Sequence, residues 1–348
     1  DRGWDVMREE RLRKAIELGL VPKGTRLAAG AYNAQKWDHL TEDEKRYWAR
    51  AMQVNAGMME AADHHLGRLL EHLASKGQLD DTLVVITSDN GPEYNAIGKA
   101  KDLATAAFEG TFMALEGWDV DYDNLGQPGS IAAIGKEWAS VSAAPFHLFK
   151  FNATEGGLRV PMVVSGPGVK DRGFIDSRSQ VSDIAPTLLD MAGVAYSPDE
   201  FYGRSLKPML SGEADEVYGD TDAFAFETSG TAALYRGPWK ITKTPVPFGD
   251  GEWHLYDISA DPGETTDVAA QHASLFEDMK SEFQSYADEV GVLEQPPGAS
   301  ARKQLQAHML QMSAVNYWYV PAAMIIGLAA VLLGLLRVAS MVFRRRAA

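Results

Sequence analysis

The stretch that most limits how this chain can fold is Leu83-Val84-Val85-Ile86-Thr87-Ser88-Asp89-Asn90-Gly91. Five β-prone residues run straight into a polar tip made of a carboxylate, a carboxamide and a glycine. An unbroken apolar run of this length, closed by turn residues, predicts a strand buried on both faces of a parallel sheet. In open α/β sheets, ligands bind beyond the carboxyl ends of the strands, and Asp89 and Asn90 fall at such an end. Gly91 lets the backbone turn sharply past them. Two adjacent oxygen donors suit Ca²⁺ or Mg²⁺ far better than a soft metal. On these residues alone, a turn that merely closes the strand is the simpler account, so the rest of the chain must decide.

Upstream, residues 5–19 carry Val6, Met7, Leu12, Ala15, Ile16 and Leu18 among charges, an amphipathic helix closed by Gly19 and Pro22. Thr41-Glu42-Asp43-Glu44 is a capping box. From there Trp48, Met52, Met59, Ala62, Leu66, Leu69 and Leu73 recur at helical spacing as far as Gly77, with Met52, Met58 and Met59 read as core filler. His64, His65 and His72 lack the i, i+4 spacing of helical metal sites and read as surface or structural residues. Pro92 to Ala144 is weakly periodic and reads as a long rim segment. Within it, Asp119-Val120-Asp121-Tyr122-Asp123 opens like an EF-hand loop. Asn124 at the sixth position and Ser130 at the twelfth break the match, leaving a turn.

A second apolar run, Val160-Pro161-Met162-Val163-Val164, predicts another buried strand. It follows Phe149-Lys150-Phe151-Asn152-Ala153-Thr154-Glu155-Gly156-Gly157-Leu158-Arg159. The glycine pair precedes a strand rather than opening a helix, so it is no phosphate loop. Taken locally, Lys150 is a surface cation with a snorkelling stem. Ser182 and Asp183 cap a short helix, with Pro186 in its first turns and Gly193 past its end. From about Asp220, short β-like runs (223–226, 232–236, 239–242, 253–256) precede a helix with Leu275, Phe276, Met279, Phe283 and Tyr286 on one face. A small antiparallel sheet packed by one helix is the expectation.

Residues 294–316 read as a linker, and 317–343 as a transmembrane helix: Tyr319 to Leu336 holds no charge, Tyr317, Trp318 and Tyr319 form an aromatic belt, and Arg344, Arg345 and Arg346 follow. The positive-inside rule puts that basic tail, 344–348, in the cytoplasm and the folded part outside, in the periplasm or on the cell surface. The remaining organisation is 1–218 for an α/β catalytic part and 219–293 for the small antiparallel domain. A net charge of −15 argues against a nucleic-acid partner. The absence of cysteine excludes disulfides, thiolate metal sites and a cysteine-derived nucleophile within these residues. Asp1 enters a helix with neither Met nor a signal-peptide pattern before it, which reads as a start inside a domain.

Taken together, these segments resemble the arylsulfatases of the alkaline phosphatase superfamily, the bacterial ones in particular. The resemblance rests on Gly3-Trp4-Asp5 with Arg8-Glu9-Glu10-Arg11, Ala62-Asp63-His64-His65-Leu66-Gly67, Thr87 to Gly91, Asp123 to Gly126, Lys150 with Glu155 to Pro161, Asp183 to Leu189, and Leu255-Tyr256-Asp257 with Asp261 to Glu264. Seven stretches in the family's order cover residues 1–292. The resemblance implies an α/β fold: part of an alkaline-phosphatase-like mixed sheet with flanking helices, plus the small C-terminal domain. It makes Asp89 and Asn90 ligands of an active-site Ca²⁺, in preference to Mg²⁺, and Lys150 a direct contact to the sulfate of a small-molecule sulfate ester. His147 matches no catalytic position and reads as a rim residue. The family's nucleophile is a formylglycine made in a Cys/Ser-x-Pro-x-Arg motif, which this chain does not contain. The expectation is therefore the C-terminal portion of a sulfatase, without turnover by itself. The alternatives are a phosphate or phosphonate monoester hydrolase of the same superfamily and a catalytically dead, membrane-tethered binding module.

Overall fold

The computed structural model describes residues 2–293, apart from 100–102, 172 and 229, together with scattered positions beyond 293. Tryptophans organise the first part. Helix α1 (Gly3–Glu17) is mostly polar, and its anchor is buried Trp4. That ring meets Trp37 and Trp138 edge-on, with centroids 4.8 and 5.7 Å away, and its indole N–H donates to the Gln35 carbonyl at 2.8 Å. The capping box forms as the sequence predicts: Glu44 N–H donates to Thr41 Oγ1, and Thr41 N–H donates to Glu44 Oε2. Helix α2 then runs Glu42–Ser75. Its early turns bury Tyr47 and Ala51 against Leu125. Met58 and Met59, expected in the core, are 54% and 68% exposed. The helical spacing was legible, but beyond the early turns no described element covers those methionines.

Strand β1 (Val84–Thr87) pairs with β2 (Met162–Ser165), and the pairing is antiparallel, with Val84 opposite Ser165 and Thr87 opposite Met162. This corrects the expected parallel strand of a mixed sheet, buried on both faces: Ile86 and Val163 are well exposed. Among the described residues each strand has one neighbour, so apolar composition alone does not bury it. Antiparallel register has a consequence for position. It brings the outgoing tip of β1, Ser88 to Gly91, beside the segment entering β2.

Pro92 to Ala144 is more regular than its sequence suggests, holding α3 (Leu103–Glu116) and α4 (Gly135–Ala143). In α4, Trp138, Ala139, Ser140, Val141 and Ala143 are all buried. A helix buried all round shows no amphipathic period, which is why it escaped detection. The Asp119 segment is a turn, as expected: its carboxylate accepts from Asp121 N–H and the Asn124 amide. After the one-turn α5 (Glu155–Leu158), α6 spans Ile184–Met191 and α7 Lys207–Leu210. Asp183 does not cap α6 through its side chain. Its buried carboxylate accepts from Gln180 N–H, Arg204 N–H and the Tyr218 hydroxyl instead.

The predicted small sheet is a four-stranded meander: β3 (Ala223–Thr228), β4 (Thr231–Arg236), β5 (Trp239–Lys243) and β6 (Trp253–Asp257). Helix α8 (Ala273–Val290) covers one face, packing Met279, Phe283 and Ala287 on Ala232, Leu234, Ile241 and Leu255. The alternate residues of β4, Ala233 and Tyr235, face Ala153. Both faces of β4 are therefore buried. The chain divides into two units, Asp1–Leu293 and Glu294–Ala348. Among the described residues no helix is long and apolar enough to cross a membrane, and the span expected at 317–343 lies largely outside those residues.

Candidate active site

The site is where the β1 tip meets the 147–161 segment. Thr87 Oγ1 donates to the Pro161 carbonyl at 3.0 Å, Gly91 N–H to the Gly157 carbonyl at 2.8 Å, and Lys150 N–H to the Pro92 carbonyl at 3.1 Å. Two glycines make this approach feasible. A Cβ on Gly91 would stand 1.9 Å from the Gly156 oxygen, and one on Gly156 would stand 2.2 Å from the Leu148 oxygen. The tip and the loop are thus stitched backbone to backbone.

Asp89 is exposed, and its carboxylate has no hydrogen-bond or ion-pair partner among the described residues. The Asn90 amide donates to the Gly91 carbonyl at 2.9 Å, and its side-chain oxygen has no hydrogen-bond partner among the described residues. Both residues line a cleft of about 1580 Å³ whose wall includes Arg159 and Arg178. A smaller cleft, about 420 Å³, lies against Asn90, Gly91, Glu93, Phe146 and Arg159. Two adjacent residues with free oxygen donors fit part of the shell of a hard cation, which takes about six to eight oxygens in the case of calcium. Among the described residues no cluster of three or more His, Asp or Glu forms a metal site, so the pair offers part of a shell.

Lys150 comes to the same tip but not to the pair itself. Its ammonium lies 3.1 Å from Glu93 Oε2 and 5.2 Å from the centroid of the Phe151 ring, and it lines neither cleft. Glu93 is a residue the sequence reading passed over. Its other oxygen accepts from Tyr94 and Asn95 N–H, so a fixed carboxylate holds the lysine. Arg159 was also missed as a site residue, although it lines both clefts. It lies 3.7 Å from both Glu155 Oε2 and Asp176 Oδ1. Glu93 lies three positions after Asn90 and Arg159 nine after Lys150, but local spacing gave no sign of which way they face.

His147, expected on the rim, is half-buried. Burial, helped by the nearby charges of Lys240 and Arg8, lowers its imidazole to about 4, so it is neutral at pH 7. Its carbonyl accepts from Thr154 Oγ1 and Gly156 N–H, closing the loop on itself.

Comparison with known proteins gives the family. Residues 24–194 match the family model described as Sulfatase, and residues 148–289 match that described as N-sulphoglucosamine sulphohydrolase, C-terminal. An uncharacterized sulfatase of Schizosaccharomyces pombe is 33% identical over 303 residues, covering 84% of this chain and 54% of that protein. The chain belongs to the sulfatase family. Another sulfatase, the arylsulfatase of Klebsiella aerogenes, is 32% identical over 60% of this chain and 43% of its own length. Among solved structures, that of Ps i-CgsB in complex with k-i-k-neocarrahexaose is similar at 23% identity and a TM-score of 0.48, over 72% of this chain and 44% of that one. This sulfatase-family chain thus spans about half the length of the first curated relative it matches.

Proposed function

We propose that this chain contributes the cation-binding strand tip and the sulfate-contacting lysine loop of a Ca²⁺-dependent sulfuric ester hydrolase. The observation that supports this best is that neither the Asp89 carboxylate nor the neighbouring Asn90 side-chain oxygen has a partner among the described residues, on a strand tip bonded directly to the Lys150 loop. A divalent cation there would supply fixed positive charge for the sulfate oxygens. The chain's own residues do the rest of the positioning. Asp89 and Asn90 present hard oxygens, and Lys150 provides a point charge for the developing negative oxygens of the transition state. Glu93 keeps that charge aimed until an anion replaces it. Arg159, on the walls of both clefts, adds a second cation toward an anionic substrate.

The attacking group, a formylglycine, would come from a Cys/Ser-x-Pro-x-Arg segment that these 348 residues do not contain. Aryl sulfates are the first substrates to try, given the relatives' names. We further propose that residues 317–343 anchor the protein in a membrane with its folded part outside the cytoplasm, supported by the charge-free run and the arginines that follow it. Truncation before Tyr317 should release the protein from membranes, and continued membrane association would contradict the anchor.

The test of the reaction is hydrolysis of an aryl sulfate and the matching aryl phosphate by the polypeptide that includes the nucleophile segment. The expected result is a preference for sulfate, with Lys150→Ala lowering kcat by about 100-fold or more, in keeping with loss of a transition-state charge contact. A preference for the phosphate or phosphonate ester would overturn the substrate class. No turnover of either by the complete polypeptide would favour a binding module.

A further inference from the structure

Behind the Lys150 loop lies a buried ion cluster. Lys240, on β5, is fully buried. Its ammonium lies 2.9 Å from Glu155 Oε1 and 2.8 Å from Glu264 Oε1. The Tyr235 hydroxyl donates to the same Glu155 oxygen at 2.7 Å, and Tyr235 is directly opposite Lys240 in the β4–β5 register. The second oxygen of Glu264 accepts from the backbone N–H of Glu155 at 2.9 Å. Thr231 Oγ1 accepts from Ala153 N–H at 2.9 Å. One face of the small sheet therefore grips residues 153–155, which lie between Lys150 and the glycines that touch the strand tip.

A buried charge triad is a poor way to gain stability, since desolvating the ions offsets much of their attraction and an apolar trio of like volume often does as well. Its use here is better explained by what it holds. Among the described residues four that are not glycine have positive φ. Three of them are Leu148 (φ 57°) and Phe151 (φ 67°), on either side of Lys150, and Glu264 (φ 52°) in the triad. Such backbone is costly and persists only where its surroundings over-determine it. A strained loop carrying a functional cation, with an over-determined anchor immediately behind it, is what a positioning device requires.

We propose that Glu155, Lys240 and Glu264 are positioning residues: through them the C-terminal sheet holds the 147–159 loop in its strained form and keeps Lys150 at Pro92 and Glu93, just past the Ser88–Gly91 tip. This deepens the proposed function, and rests on that reading only for what Lys150 does once it is held. Hydrogen–deuterium exchange on the full chain tests it without requiring turnover. Two variants are compared with the wild type: Lys240→Met, and the milder Glu155→Gln, which keeps the shape and the backbone N–H bond to Glu264. The expected result is that exchange in peptides covering 147–159 speeds up at least tenfold more than in peptides from α8 and from β6. A merely structural cluster would instead loosen α8 and β6 as much as the loop, and that outcome overturns the proposal. Unchanged loop exchange in both variants also overturns it. If Lys240→Met does not fold, Glu155→Gln decides by the same criteria. Lys150→Ala separates the two readings. It should leave the loop's exchange at the wild-type rate, so loss of turnover in that variant reports on the sulfate contact alone.

Discussion

The β1–β2 ribbon and the β4–β5 pair are both antiparallel, yet they are built in opposite ways. The ribbon is apolar in sequence and exposed in the structure, with Ile86 and Val163 among its open positions. At β4–β5 the sequence alternates polar residues into one face, and that face is sealed: Lys240 and Thr242 are buried against the loop. The first region presents groups without partners; the second gives nearly every polar group one. The comparison teaches that in this chain the chemistry is exposed at a lightly held tip, while the rigidity it needs is stored in another sheet and delivered through residues 153–157.

The contrast can be broken most forcefully at Lys240. Lys240→Met leaves two buried carboxylates without their cation and should cost about 3–5 kcal/mol, read from urea unfolding. A cost below about 1 kcal/mol would mean that the triad is not the anchor claimed. Next comes the point where the two regions touch. Gly91→Ala drives a Cβ into the Gly156 carbonyl and should lower stability by about 1–3 kcal/mol, as overpacking does, with thermal unfolding as the measurement.

Acidity sharpens the comparison from within the buried region. His147 is lowered from 6.5 to about 4, so the folded state binds its proton less readily than the unfolded one. Its contribution is fully present above pH 6.5 and is lost as pH falls toward 4, worth at most ~3 kcal/mol. Glu264 works in the opposite direction. Burial, with the nearby Glu155 charge and against the pull of Lys240, raises it from 4.5 to about 7. Its contribution is present below pH 4.5 and is lost as pH rises through 7. Denaturant unfolding at pH 5 to 7.5 should therefore show a steeper rise of stability with pH in Glu264→Gln, and a shallower one in His147→Gln. The smallest effect belongs to the open ribbon, where Ile86→Ser should stay within about 0.5 kcal/mol of wild type.

How much of this was legible depended on whether a signal was local. The capping box at Thr41, the four short strands and the α8 stripe through Met279 and Phe283 could be read because hydrogen-bonding chemistry and periodicity are written in neighbouring residues. Burial could not. Val163 and Met59 have core composition but no described cover, while Lys240 sits at an alternating strand position that reads as solvent-facing and is sealed by a loop some 85 residues away. Helix α4 hid for the converse reason, being buried on every side. For the candidate site, Asp89 and Asn90 share one cleft, whereas Lys150 lines neither cleft and pairs with Glu93. Glu93 as the lysine's partner, Arg159 on both cleft walls and the triad behind the loop required coordinates, because each depends on which way a side chain faces.

The most direct measurement of the central claim is a calorimetric titration of Ca²⁺ into the polypeptide that includes the nucleophile segment, comparing wild type with Asp89→Ala. Asp89 is exposed and has no partner among the described residues, so its removal should leave unfolding within about 0.5 kcal/mol of wild type, while weakening Ca²⁺ binding by tenfold or more through loss of a charged ligand. Equal Ca²⁺ affinity in the two proteins would contradict the account, because the strand tip would then have no cation to hold.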